Sequence, residues 1–438
     1  THPPLRHHEN PSRTVLTHHL KTGKTTTSTY WSLNAHQEPS ITTLDDAAPL
    51  LRSLLRSSVQ YRLLSDVPLG AYLSGGLDST AIVHMMRSIQ GRDATIRTYS
   101  VAFDDGDDIN EHPHAQLVAD TYETKHHAFT IKPKVETELR NVARMMDEPL
   151  ADPALLPVYL LSKRARKDVT VVLTGDGADE LFAGYSHHKI LAGTASKLAI
   201  IPSSLSAPAA RLGLRTLPSP LLSRLHTLAA ENREGGVRRI GEILANIKHA
   251  PITSYHALTD IFDTQERERI APGLPEQEQP KLRSTAPRLT QLQHHDITTL
   301  LPDFLLMKTD RMTMAHGIEG RVPFLDYRMA ELSMKLPPHL KLSGGTTKHV
   351  LREALKHHIP PQIIQRKKQI FHVPVERWIQ KDLKTLAADL ITCENLKTLG
   401  IDIAEAKHIL EKQQRAPFYY GRQTWSLMTL GLWMEERL

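Results

Sequence analysis

Cysteine is almost absent: the 438 residues include one, Cys393, in a polar, helix-like context. That excludes a disulfide framework, a cysteine zinc cluster and a two-thiol relay within the chain. It also makes the cytoplasm the expected compartment. Aromatic residues are only 5%, too few for a platform on which nucleobases stack. The charge is mildly basic, +6 with a pI of about 9.2. Its lysines and arginines are scattered, with short clusters at Lys163-Arg164-Ala165-Arg166-Lys167 and Arg366-Lys367-Lys368. This reads as solvated surface plus a site for a small anion, not as a nucleic-acid interface. No apolar run approaches the ~18 residues of a membrane span, and Thr1-His2-Pro3-Pro4 lacks the layout of a secretory leader. Such a start reads as an excised or processed one. No HExxH occurs, and the glycine turn at 74–80 lacks the Lys-Ser/Thr pair of a Walker A loop. The 25 histidines often come in adjacent pairs, among them His126-His127, His187-His188 and His294-His295. Adjacent side chains point to different sides of an element and chelate poorly, so the pairs read as surface decoration.

What the chain does have is a strand-to-helix turn built from small, hydrogen-bonding residues. Val67, Leu69, Ala71 and Leu73 alternate as a strand, and Ala81, Ile82, Val83, Met85 and Met86 suit a buried helix. Between them lies Ser74-Gly75-Gly76-Leu77-Asp78-Ser79-Thr80. Gly75 and Gly76 allow positive φ and close approach of a ligand. The amides of the first helical turn lack partners inside the helix, so they suit an oxyanion. Asp78 fits such a site only with a cation between it and the phosphates, and Mg²⁺ is the natural one.

The first 45 residues are rich in Thr, His and Pro, with a hairpin-like stretch around Val15-Leu16-Thr17 and Lys21-Thr22-Gly23-Lys24. With little core of their own, they should lie against something else. A helix from Asp45 to about Leu64 follows, with Asp45 as its expected cap. Then strands (67–73, 95–103, 126–131 and 169–174) alternate with helices (78–90, 110–122, 134–146 and 155–167). This is the signature of an α/β fold, a parallel sheet with helices on both faces. Ligands of such sheets sit beyond the carboxyl ends of the strands, where Ser74, Ala102, Phe103 and Gly175 fall. We divide 46–438 into a core (46–190), a Pro- and Ser-broken helical insertion without recognisable chemistry (191–290) and a helical closing region (291–438).

A second loop follows strand 169–174: Gly175-Asp176-Gly177-Ala178-Asp179-Glu180-Leu181-Phe182-Ala183-Gly184-Tyr185. An acidic helix start explains Asp179 and Glu180 but not the flanking glycines. As another tip of the same sheet, this loop could give a second carboxylate to a cation held by Asp78.

The first loop resembles the PP-loop of ATP pyrophosphatases. Together with the second, the chain resembles the synthetase domain of glutamine-hydrolysing asparagine synthetases. Further matching blocks are Leu305 to Ala315, Glu319 to Asp326, Lys348 to Arg352, Arg366 to Phe371, Asp147-Glu148-Pro149 with Asp152-Pro153, and Trp425 to Trp433. The likeness covers roughly 45–438. It implies an adenine nucleotide alpha hydrolase-like fold, with ATP and Mg²⁺ as cofactors. Carried over, Ser74, Gly75, Gly76, Asp78 and Ser79 would hold the ATP phosphates, and Asp78 and Asp179 the metal. Leu73 and Val101 would line the nucleotide pocket, and Gly175 would approach it. Lys348 and Lys368, the latter chosen over Lys367 on the Arg-x-Lys-x-x-Phe spacing, would steady the migrating phosphate charge. Asp310-Arg311 and Glu319-x-Arg321 read as structural ion pairs, and Arg321 to Asp326 as a rigid turn.

The resemblance further implies aspartate and ammonia as substrates, the ammonia coming from glutamine by way of an N-terminal glutaminase domain in cis. That domain's nucleophilic cysteine has no counterpart here, so residues 1–45 read as a junction remnant. The family resemblance leaves room for a homodimer. Asp176 stands where many asparagine synthetases carry Glu, the residue proposed to manage a proton of the attacking ammonia. The shorter acid could still act through water, but the acceptor carboxylate stays open. β-Lactam- or lasso-peptide-forming cyclases and sugar-acid amidation use the same chemistry. A degenerate scaffold is the more distant alternative, against which the intact Asp78, Asp179, Lys348 and Lys368 argue.

Overall fold

The structure, a computed structural model, describes residues 13–34, 40–103, 111–131, 135–194, 233–247, 250–274, 286–366, 368 and 373–437. An antiparallel hairpin, β1 (Thr14–His19) and β2 (Lys24–Thr29), comes first and is largely exposed. The chain is then anchored by buried Leu33 and by Trp31, whose indole donates to Glu331 Oε1 at 3.1 Å. Helix α1 (Leu44–Arg62) follows. Its cap is Thr43 rather than Asp45: the Thr43 hydroxyl accepts from the Asp46 amide at 3.2 Å, which leaves Asp45 and Asp46 in the first turn. Threonine at an extended position reaches that amide, and the acids then meet the positive end of the helix.

The central sheet holds β3 (Leu69–Tyr72), β4 (Arg97–Phe103), β5 (Lys125–Ile131), β6 (Val171–Leu173) and β7 (Glu319–Arg321), in the order β5-β4-β3-β6-β7. Every pairing is parallel. Helices α2 (Leu77–Gln90), α3 (His112–Thr121), α4 (Val135–Met145) and α5 (Leu155–Ala165) fill the crossovers. Alternation along the strands divides the two faces. Ala71, Val171 and Leu173 pack into one core with α1, α2 and the helix His349–Leu355. Tyr99 and Val172 pack into another with Leu161 and Ala165 of α5. Helices α4 and α5 also join a second large core with the C-terminal helix Pro417–Arg437.

The fifth strand was not foreseen. Ile318-Glu319-Gly320-Arg321 has no alternation to show, yet Glu319 N bonds Thr170 O at 2.9 Å and Thr174 N bonds Arg321 O at 2.9 Å. The Arg321–Glu319 ion pair is present as well, at 2.8 Å, and Arg321 also donates to the carbonyls of Arg62 and Leu64. After it, Pro323–Leu325 forms a single 3₁₀ turn and Asp326 caps the next helix. Of the 191–290 stretch, residues 195–232, 248–249 and 275–285 lie outside the described residues; the described part includes the helices Arg233–Asn246, Pro251–Thr259 and Thr264–Ile270. Among the described residues, no helix is long and apolar enough to cross a membrane.

Candidate active site

The tips of β3 and β6 adjoin, and both turns lie where parallel sheets bind ligands. At the first tip Gly75 has φ +68°, and a Cβ there would strike the backbone of His114 and Ala115. The loop is tied to itself: Gly76 N donates to Ser74 Oγ (3.2 Å), Ser74 N to Ser79 Oγ (3.3 Å), and the two hydroxyls lie 3.2 Å apart. Gly76 caps α2 with extended backbone and no side chain, so the first-turn amides open outward. Leu73 is buried in the core with its amide bonded to Tyr99 O, so its side chain lines the core instead of an open cleft. Val101 is half-buried beside Tyr99 and Phe129. Arg366 clamps the loop from outside, donating to Gly75 O (3.1 Å) and pairing with Glu111 (3.3 Å). Sequence reasoning gave Glu111 no role, and nothing in its neighbours signals one.

The second tip turns through Gly177 (φ +93°) into a short helix α6 (Ala178–Phe182). A Cβ on Gly175 would press on Asp78 Cβ at 2.9 Å, so this glycine lets the two tips touch. Gly184 has the same role for Asp179 and Lys348, whose side chains occupy the space its Cβ would need.

Two aspartates and two lysines from four segments meet between the tips. Lys348 Nζ lies 2.5 Å from Asp78 Oδ2 and 2.7 Å from Asp179 Oδ1, and Lys368 Nζ lies 2.6 Å from Asp179 Oδ1. Lys368 also sits 4.2 Å over the Tyr185 ring. Lys367 lies outside the described residues. Lys348 is nearly buried and is held at φ +52°, a conformation that costs a non-glycine residue of order 1–3 kcal/mol. Its amide bonds Phe182 O at 3.1 Å, which fixes the strained residue against the second tip. Burial works against the charge of Lys348, but Asp179 and Asp78 outweigh it and hold the ammonium well above the usual range. Burial likewise opposes ionisation of Asp179, yet Lys348 and Lys368 bring its carboxyl down to about 2. For Asp78 burial is the largest influence and pushes upward. Its Oδ1 is buried with no partner. An orphaned carboxylate oxygen facing a second carboxylate is a donor set that fits a hard divalent cation such as Mg²⁺.

Asp176 stands beside this group. The hydroxyls of Thr174 and Thr309 both donate to its Oδ2, at 2.8 and 2.9 Å. Next to Thr309, Lys308 is half-buried and paired with Asp152 at 2.8 Å. Burial would discharge Lys308, but Asp152, with Asp176 and Glu180 behind it, keeps it charged and its pKa raised. Thr309, Lys308 and Asp152 belong to motif blocks visible in the sequence, although only the fold shows what they touch. Arg311 pairs with Asp147 (2.7 Å).

One expectation fails here. The histidines are not mere surface decoration: His188 and His295 are buried, and His187 is half-buried. Burial lowers the pKa of His188 to about 4, against the hydrogen bond to Asp296. Glu180, also buried, is pushed up to about 7 by burial first and by Asp179 second; the Tyr185 hydroxyl donates to it.

Residues 50–435 match the family described as asparagine synthase. Among curated proteins, "Asparagine synthetase [glutamine-hydrolyzing] 1" of Bacillus subtilis is 30% identical over 94% of this chain and 62% of its own length. A putative asparagine synthetase of Mycobacterium tuberculosis H37Rv is 29% identical over 87% of this chain and 57% of its own. The amidase chry2 of Gibberella zeae is 24% identical over 85% and 59% respectively. The chain thus spans about three fifths of the length of these relatives. With the sheet, its two loops and a family match across most of the sequence, the chain belongs to the asparagine synthase family and has its PP-loop, adenine nucleotide alpha hydrolase-like fold.

Proposed function

We propose that this chain is the synthetase part of an ATP-dependent amide-forming ligase. The observation that carries the reading is the meeting of Asp78, Asp179, Lys348 and Lys368 between two strand tips. A free carboxylate is a poor electrophile, so the acceptor is first activated. Its oxygen attacks the α-phosphate of ATP, pyrophosphate leaves, and an acyl-AMP forms. Ammonia then attacks the acyl carbon, AMP departs with the former carboxylate oxygen, and one proton is released.

The amides of the PP-loop and the hydroxyls of Ser74 and Ser79 cradle phosphate oxygens. Gly75 packs against the backbone of His114 and Ala115, Gly76 lies over the Ser74 hydroxyl and Gly175 packs against Asp78, which sets the loop in the shape that presents its amides, and the strand end at Leu73 and Val101 borders the nucleotide. Bound Mg²⁺, held by Asp78 and Asp179, supplies charge neutralisation of the phosphates. Lys348 and Lys368 are point charges that steady negative charge as it shifts from the α-phosphate to the departing pyrophosphate. Asp176 accepts the proton of the attacking ammonia, directly or through water. Thr174 and Thr309 saturate one of its oxygens and leave Oδ1 without a bonded partner among the described residues.

The acceptor we favour is the β-carboxylate of aspartate, with asparagine as product. The names of the Bacillus and Mycobacterium relatives support it, and they support a glutaminase domain as the source of ammonia. The amidase-named fungal relative supports a second reading, the same chemistry on another carboxylate. Nothing in the composition or motifs points away from a cytoplasmic enzyme. Incubation with ammonium, Mg²⁺-ATP and aspartate should yield AMP, pyrophosphate and asparagine. ADP as nucleotide product would overturn the mechanism. Pyrophosphate release with other carboxylates, but not with aspartate, would move the assignment to the second reading.

A further inference from the structure

Behind Tyr185 lies a second cluster that the ligase chemistry does not use. His187 Nε2 is 3.4 Å and His188 Nε2 is 2.7 Å from one oxygen of Asp296, and the three donor atoms all lie within 4.8 Å of one another. Asp296 and His188 are completely shielded from solvent, whereas the His187 side chain keeps 12% exposure. The other Asp296 oxygen accepts from the Tyr255 hydroxyl at 2.6 Å. Among the described residues, the ion pairs of Asp296 are with these two imidazoles, and no lysine or arginine reaches it. Nearby, Glu180 Oε2 is buried without a partner. The pocket therefore collects carboxylates without the ammonium groups that serve the neighbouring site.

We propose that His187, His188 and Asp296 form a site for a d-block divalent cation of the Zn²⁺ class. Two imidazoles and one carboxylate are the donor set of many three-residue zinc sites, with a fourth position left to solvent. At ordinary zinc–ligand lengths, tetrahedral donors stand about 3.3 Å apart. The His187–Asp296 edge already has that length, and the His188–Asp296 edge needs to open by roughly 0.6 Å. Adjacent histidines converge here because the helix Ser186–His188 passes directly into a π-helical turn, Lys189–Thr194, and such turns often accompany functional sites. The rings are pre-oriented. Tyr185 stacks on His187 at 4.8 Å, while Tyr255 meets His187 edge-on at 4.9 Å and His295 at 5.0 Å. Tyr255 in turn holds the carboxylate, as outer partners of metal ligands do. The Nδ1 of His188 has no partner, and this holds for a hydrogen-bonded or a metal-bound Nε2 alike. The partly exposed His187 edge is the way in. The cation would staple the second strand-tip loop to the π-helix Asp296–Leu306.

Titration of the chelator-stripped full chain with Co²⁺ should give one equivalent with the visible absorption of a tetrahedral site, displaced by Zn²⁺. The double variant His18→Gln/His19→Gln, on the exposed hairpin, should bind equally well. His187→Ala and Asp296→Asn should each weaken binding at least tenfold, and Zn²⁺ should raise Tm for the parent but not for these variants. His187 is at the edge of the cluster, so its variant reports even if Asp296→Asn fails to fold. Absence of a tetrahedral Co²⁺ spectrum, or unchanged affinity in His187→Ala, would overturn the site. Pyrophosphate release is not the readout, so the outcome is independent of the ligase assignment.

Discussion

Two pockets of buried charge lie on either side of Tyr185, and they are balanced in opposite ways. In the first, Asp78 and Asp179 are matched by two ammonium groups, Lys348 and Lys368. In the second, among the described residues, the Asp296 side chain is met by two imidazoles and the Tyr255 hydroxyl, and Glu180 accepts from the Tyr185 hydroxyl. A carboxylate paired with lysine stays ionised and gives up its partner when a stronger anion arrives. A carboxylate surrounded by neutral groups either takes a proton, as Glu180 does near pH 7, or acquires a cation. The first arrangement suits substrates that come and go. The second suits a permanent structural role.

The sharpest way to break the comparison is to remove Lys348. Lys348→Ala leaves Asp78 without its ammonium partner and Asp179 with Lys368 alone, so it should abolish pyrophosphate formation and cost about 1–3 kcal/mol of stability by calorimetry. A variant as stable as the parent would show that the ammonium does not balance the pair. Asp78→Asn should lower turnover by about 10²–10³-fold with the circular dichroism and Tm of the parent. An unchanged rate would refute its place in the phosphate and metal site. Lys368 is partly exposed, so Lys368→Ala should slow adenylation by an order of magnitude or more while Tm stays within about 1 °C, since exposed pairs add little stability.

The second pocket predicts a pH effect. Glu180 has a folded pKa of about 7 against an ordinary 4.5, so the folded state binds the proton more tightly. The associated stability is fully present below about pH 4.5 and is lost as pH rises through 7. Glu180→Gln should therefore leave stability unchanged in acid and raise it by up to about 3 kcal/mol at pH 8. Denaturant melts at both pH values check this, and a gain equal at both would assign it to packing instead of protonation. Smallest of all, Thr309→Val removes one of two hydroxyls on Asp176 Oδ2. It should lower kcat by a few-fold with little change in KM for the acceptor. An unchanged kcat would count against Asp176 as the base that these hydroxyls position.

The four strands 67–73, 95–103, 126–131 and 169–174 were legible because alternation and flanking turns mark them locally. Ser74 to Ser79 and Gly175 to Tyr185 were legible for a related reason: glycines beside acids and hydroxyls have few structural uses. What escaped depends on distant partners. Glu319–Arg321 becomes a strand only because Thr170 and Thr174 offer it their backbone. The left-handed backbone of Lys348 has no signature in a sequence reading Thr347-Lys348-His349. Asp296 and Tyr255 are separated from His187 by long stretches of chain, so no spacing rule could join them. Thr43 lost its place to Asp45 in the cap assignment because either residue type qualifies and only geometry chooses.

The fifth strand has a consequence for how the protein comes into being. Some 145 residues separate Leu173 of β6 from Glu319 of β7. A ribosome adding about 5–20 residues per second needs on the order of ten to thirty seconds to cover that interval. Throughout it, the nascent chain carries Val171-Val172-Leu173 as an open apolar edge, a template for pairing with the wrong partner. Thr309, Lys348 and Lys368 emerge after or just before that edge is closed. Asp78 and Asp179 are thus synthesised well before the two lysines that pair with them.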